Sequence, residues 1–249
     1  MPPIKSVLFD CDNTLVLSEE IAFDGCAQLS NEILKKYGID KTYSGPELMH
    51  EFVGLNFRGL MQRLQARHGF TMADADVDAY VGRELDAICE NLSARCRPCE
   101  GVDDVLEKMK QDGQYKMAIV SSSAMPRVQA SIKKVGQDKY FPEGTVFSAA
   151  SSLNPPSSKP DPAIYLFACT KLGVDPKQCV AVEDSRSGAT AARNAGIPLM
   201  GYVGPYMEEG GKAKQDEMAK MLREECGAIT IIYHWSEFWD KLKEVEAAA

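Results

Sequence analysis

The chain has 249 residues, 45% hydrophobic and 26% charged, enough to bury a substantial core as one α/β domain or as a core carrying a smaller insert. Its formal charge of −8, without a cluster of Lys and Arg, argues against nucleic acid or an anionic membrane as the main partner, because both reward a positive surface. No apolar run is long enough to cross a bilayer, the N-terminus has no signal-peptide pattern, and eight scattered cysteines predict a reduced, cytoplasmic protein, a monomer by default.

The first element is the apolar run Val7-Leu8-Phe9, a buried strand that delivers Asp10 and Asp12 into a turn. About residues 18 to 94 then lack strand runs and carry apolar residues at helical spacing (Ile21, Leu29, Ile33, Leu34, Leu48, Leu60, Leu64), which predicts a helical insert. From Gly101 the pattern alternates. A helix holds Val105 to Met109, a strand runs from Lys116 to Val120 and ends in Ser121-Ser122-Ser123, and a helix from Pro126 to Val135 closes at Gly136. Ser123, nearest that helix, is expected to be its N-cap. A short strand near Thr145 to Ser148 leads into a Ser/Pro-rich loop through Lys159-Pro160-Asp161-Pro162, then a helix from Ala163 to Leu172. The strand Cys179 to Val182 ends in Glu183-Asp184, a helix spans Ser187 to Asn194, and Leu199 to Val203 is the next strand. The stretch 207–227, rich in Glu and Lys, reads as a solvated helix. Cys96 and Cys99 have redox or half-zinc spacing, but no second pair completes a ligand set.

Strands separated by helices predict a doubly wound parallel sheet, whose ligand crevice lies beyond the carboxyl ends of the strands. Asp10, Asp12, Ser121, Glu183 and Asp184 all follow predicted strands, so they would meet at one edge, with Lys159 in a loop on the same side. An acid pair, a hydroxyl, a lysine and a second acid pair meet the needs of phosphoryl transfer. Asp10 would attack phosphorus as a carboxylate nucleophile, and Asp12 would protonate the leaving oxygen and then activate water. Ser121, with Ser122 beside it, and Lys159 would grip phosphoryl oxygens. Mg²⁺ would be held by Asp10, the backbone carbonyl of Asp12 and Asp184, with Glu183 either on the ion or orienting its ligands.

These residues resemble the four motifs of the haloacid dehalogenase superfamily, in its capped phosphatase and phosphomutase branch. The motifs stand as Asp10-Cys11-Asp12-Asn13-Thr14, Ile119-Val120-Ser121, Ser158-Lys159-Pro160-Asp161-Pro162 and Val182-Glu183-Asp184-Ser185 followed by Gly188. The resemblance implies a Rossmann-like core of residues 1–16 and 95–249 and a helical cap of residues 17–94. Dehalogenases of this family generally lack the second acid, so Asp12 favours phosphate chemistry. Mutases of the β-phosphoglucomutase type carry a His early in the first cap helix, where this chain reads Ser18-Glu19-Glu20-Ile21. Hydrolysis of a small phosphorylated metabolite (a sugar, polyol or sugar-acid phosphate) is therefore favoured over a mutase or a non-catalytic metabolite sensor. Asn13 stands where relatives have Gly, and Asn tolerates the positive φ such a turn needs. Leu17 stands where many relatives have Asp at the cap hinge.

Substrate choice is expected in the cap, in the break Phe52-Val53-Gly54-Leu55-Asn56-Phe57-Arg58. Gly54 would allow close backbone approach, Asn56 would bond sugar hydroxyls, and Arg58 would meet a second charge. An ordinary helix corner, with Phe57 in the cap core and Arg58 solvated, is the alternative.

Overall fold

All four residues of β1 (Ser6–Phe9) are buried, the burial on both faces that a central parallel strand requires. The computed structural model describes residues 3–52 and 55–248. Contacts divide the chain into two compact units, Met1–Leu17 with Pro98–Ala249, and Ser18–Arg97.

After β1 the chain makes a tight turn and the short strand β2 (Val16–Leu17). Asn13 takes φ 55°, the only positive φ at a non-glycine among the described residues, the conformation expected of Asn at this turn. Among the described residues the elements between Glu19 and Arg95 are all helices: α1 (Glu19–Lys36), α2 (Gly45–Glu51), α3 (Phe57–His68) and α4 (Asp74–Arg95). Ile21, Leu29, Ile33 and Leu34 form the buried face of α1. Gly25 lets α1 approach α4, since a Cβ there would lie 3.0 Å from the Ile88 backbone. Ser44 and Glu47 form a reciprocal capping box at the start of α2.

The chain continues through β3 (Arg97–Pro98), which with β2 forms a small sheet, into α5 (Val102–Asp112), β4 (Lys116–Ser121), α6 (Met125–Lys134), β5 (Val146–Ser148) and α7 (Ala149–Ser152). Then come α8 (Ala163–Leu172), β6 (Cys179–Glu183), α9 (Arg186–Asn194), β7 (Leu199–Tyr202), α10 (Tyr206–Glu224), β8 (Thr230–Ile232) and α11 (Phe238–Ala248). Six of these strands make one all-parallel sheet in the order β5-β4-β1-β6-β7-β8, a Rossmann-like α/β fold. Phe9 pairs with Ile119 of β4 on one side and with Val182 of β6 on the other. That register brings the residues after all three strands to one carboxyl edge. No described helix is long and apolar enough to cross a membrane.

Three expectations are corrected. The 207–227 stretch is not a uniformly solvated helix: α10 kinks at Gly210 and Gly211, and it buries Gln215, Ala219, Met221 and Leu222. A Lys/Glu-rich composition conceals a narrow apolar stripe. The Ser/Pro-rich loop contains the four-residue α7, capped by the Ser148 hydroxyl. Ser123 does not cap α6, whose N-cap is Ala124 without a side-chain bond.

Candidate active site

Asp10 leaves β1 with its N–H donating to the Val182 carbonyl at 3.0 Å, so its place is set by the sheet ladder itself. Its carboxylate faces Lys159, whose ammonium donates to Asp10 Oδ1 (2.6 Å), Glu183 Oε1 (2.5 Å) and the Val120 carbonyl (2.7 Å). Those three bonds use all the donors a lysine has, so any further acceptor would have to share or replace one of them. Burial opposes the Lys159 charge, but Asp10 and Glu183 outweigh it and hold the ammonium above the usual lysine range. Burial likewise pushes the Asp10 carboxyl up to about 8; Lys159 pulls it down, while Glu183 and Asp12 add to the rise.

Glu183 is fully buried at the end of β6. Besides Lys159, its Oε1 accepts the Tyr165 hydroxyl at 2.5 Å, and the Tyr165 ring centroid lies 5.1 Å from the Lys159 ammonium. Burial and the Glu183 charge hold Tyr165 well above the usual phenol range, so its hydroxyl stays a donor. Gly188, in the first turn of α9, lies against the same carboxylate: a Cβ there would fall 1.9 Å from Glu183 Oε2. Asp184 accepts the Tyr206 hydroxyl at Oδ2 (2.9 Å) and the Thr14 hydroxyl at Oδ1 (3.4 Å).

The serine run at the end of β4 is divided among several tasks. Ser121 is fully buried and its Oγ accepts the Ser123 N–H at 3.0 Å. Ser122 Oγ accepts the Lys159 N–H at 3.2 Å. Ser123 Oγ donates to Asp12 Oδ2 at 2.7 Å.

Asp10, Glu183 and Asp184 each offer a carboxylate oxygen, and these oxygens lie within 4.8 Å of one another. Glu183 Oε2 is buried without a hydrogen-bond partner. Three buried carboxylates against one ammonium leave a negative surplus that a divalent cation would offset, and an all-oxygen donor set suits a hard ion. These residues therefore fit a metal.

In the helical unit, Asn56 caps α3, its side-chain oxygen accepting the Gly59 N–H at 2.9 Å. Arg58 is exposed and pairs with Asp78, and Phe57 is buried. Gly54 lies outside the described residues. The structure thus gathers Asp10, Lys159, Glu183 and Asp184, with Ser122 bonded to the Lys159 backbone. Asn56 and Arg58 have structural partners of their own.

Sequence reasoning passed over Tyr165, Tyr206, Thr14 and the hydroxyl of Ser123. Tyr165 left a signal: a tyrosine inside the apolar run Ile164-Tyr165-Leu166-Phe167-Ala168 must find a partner for its hydroxyl when buried. Tyr206 left none, being 22 residues from Asp184.

Comparison with known proteins gives the family. Residues 4–196 match the family model of haloacid dehalogenase-like hydrolases. The chain is 28% identical to the 6-phosphogluconate phosphatase of Escherichia coli K12, over 80% of this chain and 82% of that protein. It is 30% identical to the phosphoglycolate phosphatase of Pasteurella multocida, over 83% and 88%. Among solved structures, a haloacid dehalogenase family hydrolase from Deinococcus radiodurans R1, with bound phosphate and sodium, superposes with a TM-score of 0.72 at 26% identity, covering 98% of this chain and 97% of that one. The chain belongs to the haloacid dehalogenase-like hydrolase family and is one of its phosphoric monoester hydrolases.

Proposed function

We propose that this enzyme is a Mg²⁺-dependent phosphatase that hydrolyses a sugar, polyol or sugar-acid phosphate through an aspartyl phosphate on Asp10. The observation that carries the reading is the buried set Asp10–Lys159–Glu183 with Asp184 beside it. Asp10 Oδ attacks phosphorus, and the ester P–O bond breaks as the Asp10–P bond forms. Asp12 gives its proton to the departing oxygen, then takes one from the water that attacks the phosphoaspartate and regenerates the Asp10 carboxylate. Lys159 offsets the repulsion between that carboxylate and an anionic phosphoryl group, and Ser121 and Ser122 supply hydroxyls and backbone at the phosphoryl pocket. Asp10, Asp184, the Asp12 carbonyl and Glu183 would hold Mg²⁺. The ion supplies charge neutralisation at the phosphoryl oxygens. The helical unit, residues 17–94 in the sequence reading, serves as the cap that selects among leaving groups. Eight cysteines without a disulfide suit a reducing cytoplasm.

Phosphate release from a panel of sugar, polyol and sugar-acid phosphates, with and without Mg²⁺, tests this directly. Asp10→Asn is expected to retain its fold and lose turnover by at least about 1,000-fold. Mg²⁺-dependent turnover at the wild-type rate by that variant would remove Asp10 as nucleophile.

A further inference from the structure

Ser123 follows two serines at the carboxyl end of β4, and its surroundings leave its hydroxyl a single task. Its N–H is taken by Ser121 Oγ at 3.0 Å, and its carbonyl accepts the Ser148 hydroxyl at 2.7 Å. Both backbone groups are thus pinned by neighbouring serines, which fixes where the side chain starts. The following helix does not use the hydroxyl either, because the N-cap of α6 is Ala124 and makes no side-chain bond. What the hydroxyl does make is a 2.7 Å bond to Asp12 Oδ2. This is a short bond to a half-buried carboxylate that stands two residues from the Asp10 nucleophile.

We infer that Ser123 is a positioning residue for Asp12, holding one carboxylate oxygen so that the other carries the transferred proton in both halves of the reaction; this rests on the acid–base role proposed above for Asp12. The chemistry asks for one group in one place with two protonation states. In the first half Asp12 loses a proton to the leaving oxygen as the ester P–O bond breaks and the Asp10–P bond forms. In the second it gains a proton from water as the water oxygen bonds to phosphorus and the Asp10–P bond breaks. A hydroxyl donating to Oδ2 serves both states. With the proton on Oδ1, Oδ2 is still a carbonyl acceptor, and with the proton gone it is a carboxylate acceptor. The hydrogen bond therefore persists while the proton comes and goes at Oδ1, and the side chain does not have to be repositioned between the two steps. Ser148, far away in sequence on the neighbouring strand, belongs to the same arrangement because it fixes the Ser123 backbone.

The test uses the full-length Mg²⁺-loaded enzyme with p-nitrophenyl phosphate, read by steady-state kinetics and by rapid-quench measurement of the phosphoenzyme. Ser123→Ala is expected to lower kcat about tenfold with KM within about twofold, and to slow breakdown of the phosphoenzyme in proportion. Ser123→Thr keeps the hydroxyl and should restore most of the loss. On an Asp12→Asn background Ser123→Ala should add nothing, since its effect passes through the carboxylate. A raised KM at unchanged kcat would make Ser123 a substrate contact instead. The same fold-loss on the Asp12→Asn background would show that it acts independently of Asp12, and either result overturns the proposal. Asp12→Asn turning over at the wild-type rate would sink the acid–base reading itself, a failure distinguishable from that of Ser123. Should the alanine variant fold poorly, Ser123→Cys keeps the size with a weak donor and carries the same comparison.

Discussion

Both units of this protein carry exposed ion pairs, such as Arg186 with Glu225 in the sheet unit, but among the described residues the buried ion pairs belong to the sheet unit. In the helical unit the ion pairs lie at the surface: Arg83 with Glu32 has side chains 51% and 46% exposed, and Lys36 with Asp76 has them 48% and 44% exposed. In the sheet unit Lys159, Asp10 and Glu183 are 3%, 10% and 0% exposed. Surface pairs cost little to keep and contribute little. A buried carboxylate pair on one lysine costs desolvation energy that well-packed apolar residues would avoid, so its presence is poorly explained by stability. Under the proposed function, the contrast separates charge that solubilises helices from charge held in place for chemistry.

Removing the lysine is the largest expected disturbance. Lys159→Met leaves Asp10 and Glu183 buried beside each other without their shared cation, and should cost about 3–5 kcal/mol in urea unfolding while abolishing phosphate release. A stable, active Lys159→Met enzyme would erase the distinction between the two kinds of charge.

Next in size is Tyr165→Phe, which removes only the hydroxyl that Glu183 accepts and keeps the ring near Lys159. A hydrogen bond to a charged group of this kind is worth about 1.5–3 kcal/mol. The same variant should need more Mg²⁺ for half-maximal turnover, because Glu183 loses one of the two donors that orient it. Wild-type stability and Mg²⁺ dependence together would show that Lys159 alone positions Glu183.

The residues that sequence made legible share a physical basis. Asp10 and Asp184 follow strands, and Ser121 and Glu183 end them; the apolar runs and flanking turns of those strands are local patterns, and a parallel sheet in register converts strand ends into a common edge. Lys159 was legible through its Lys-Pro-Asp-Pro setting. The supports of these groups were not. Tyr206 reaches Asp184 from the first turn of α10, and Ser148 reaches the Ser123 carbonyl from β5, contacts set by packing between elements rather than by spacing. Ser123 misled for a related reason: a serine just ahead of a helix satisfies every local rule for an N-cap, and only the tertiary position of Asp12 redirects its hydroxyl. Asn56 shows the converse. Its side-chain oxygen caps α3, a local role that the sequence reading did not assign to it. The last strand, β8, escaped because Thr230–Ile232 is too short to show a period, whereas α11 was passed over although Phe238, Leu242 and Val245 stand at helical spacing.

The smallest expected effect is on the helical side of the comparison. Arg83 donates to both oxygens of Glu32, at 2.8 and 2.7 Å, and Tyr80 adds a third donor at 3.0 Å. The Arg83 hydrogen bond is the largest influence holding the Glu32 carboxyl below its usual range. A carboxylate whose folded pKa is depressed contributes stability above its unfolded pKa and loses it as the pH falls through the folded value. Arg83→Ala should therefore give a urea midpoint barely below wild type at neutral pH, with the gap closing in acid as Glu32 takes up its proton in both proteins. Both side chains are about half exposed, so water replaces most of what the guanidinium supplied. A loss at neutral pH approaching that of Lys159→Met would mean that exposure does not separate the two classes of ion pair, and the case for a chemically retained cluster in the sheet unit would have to rest on turnover alone.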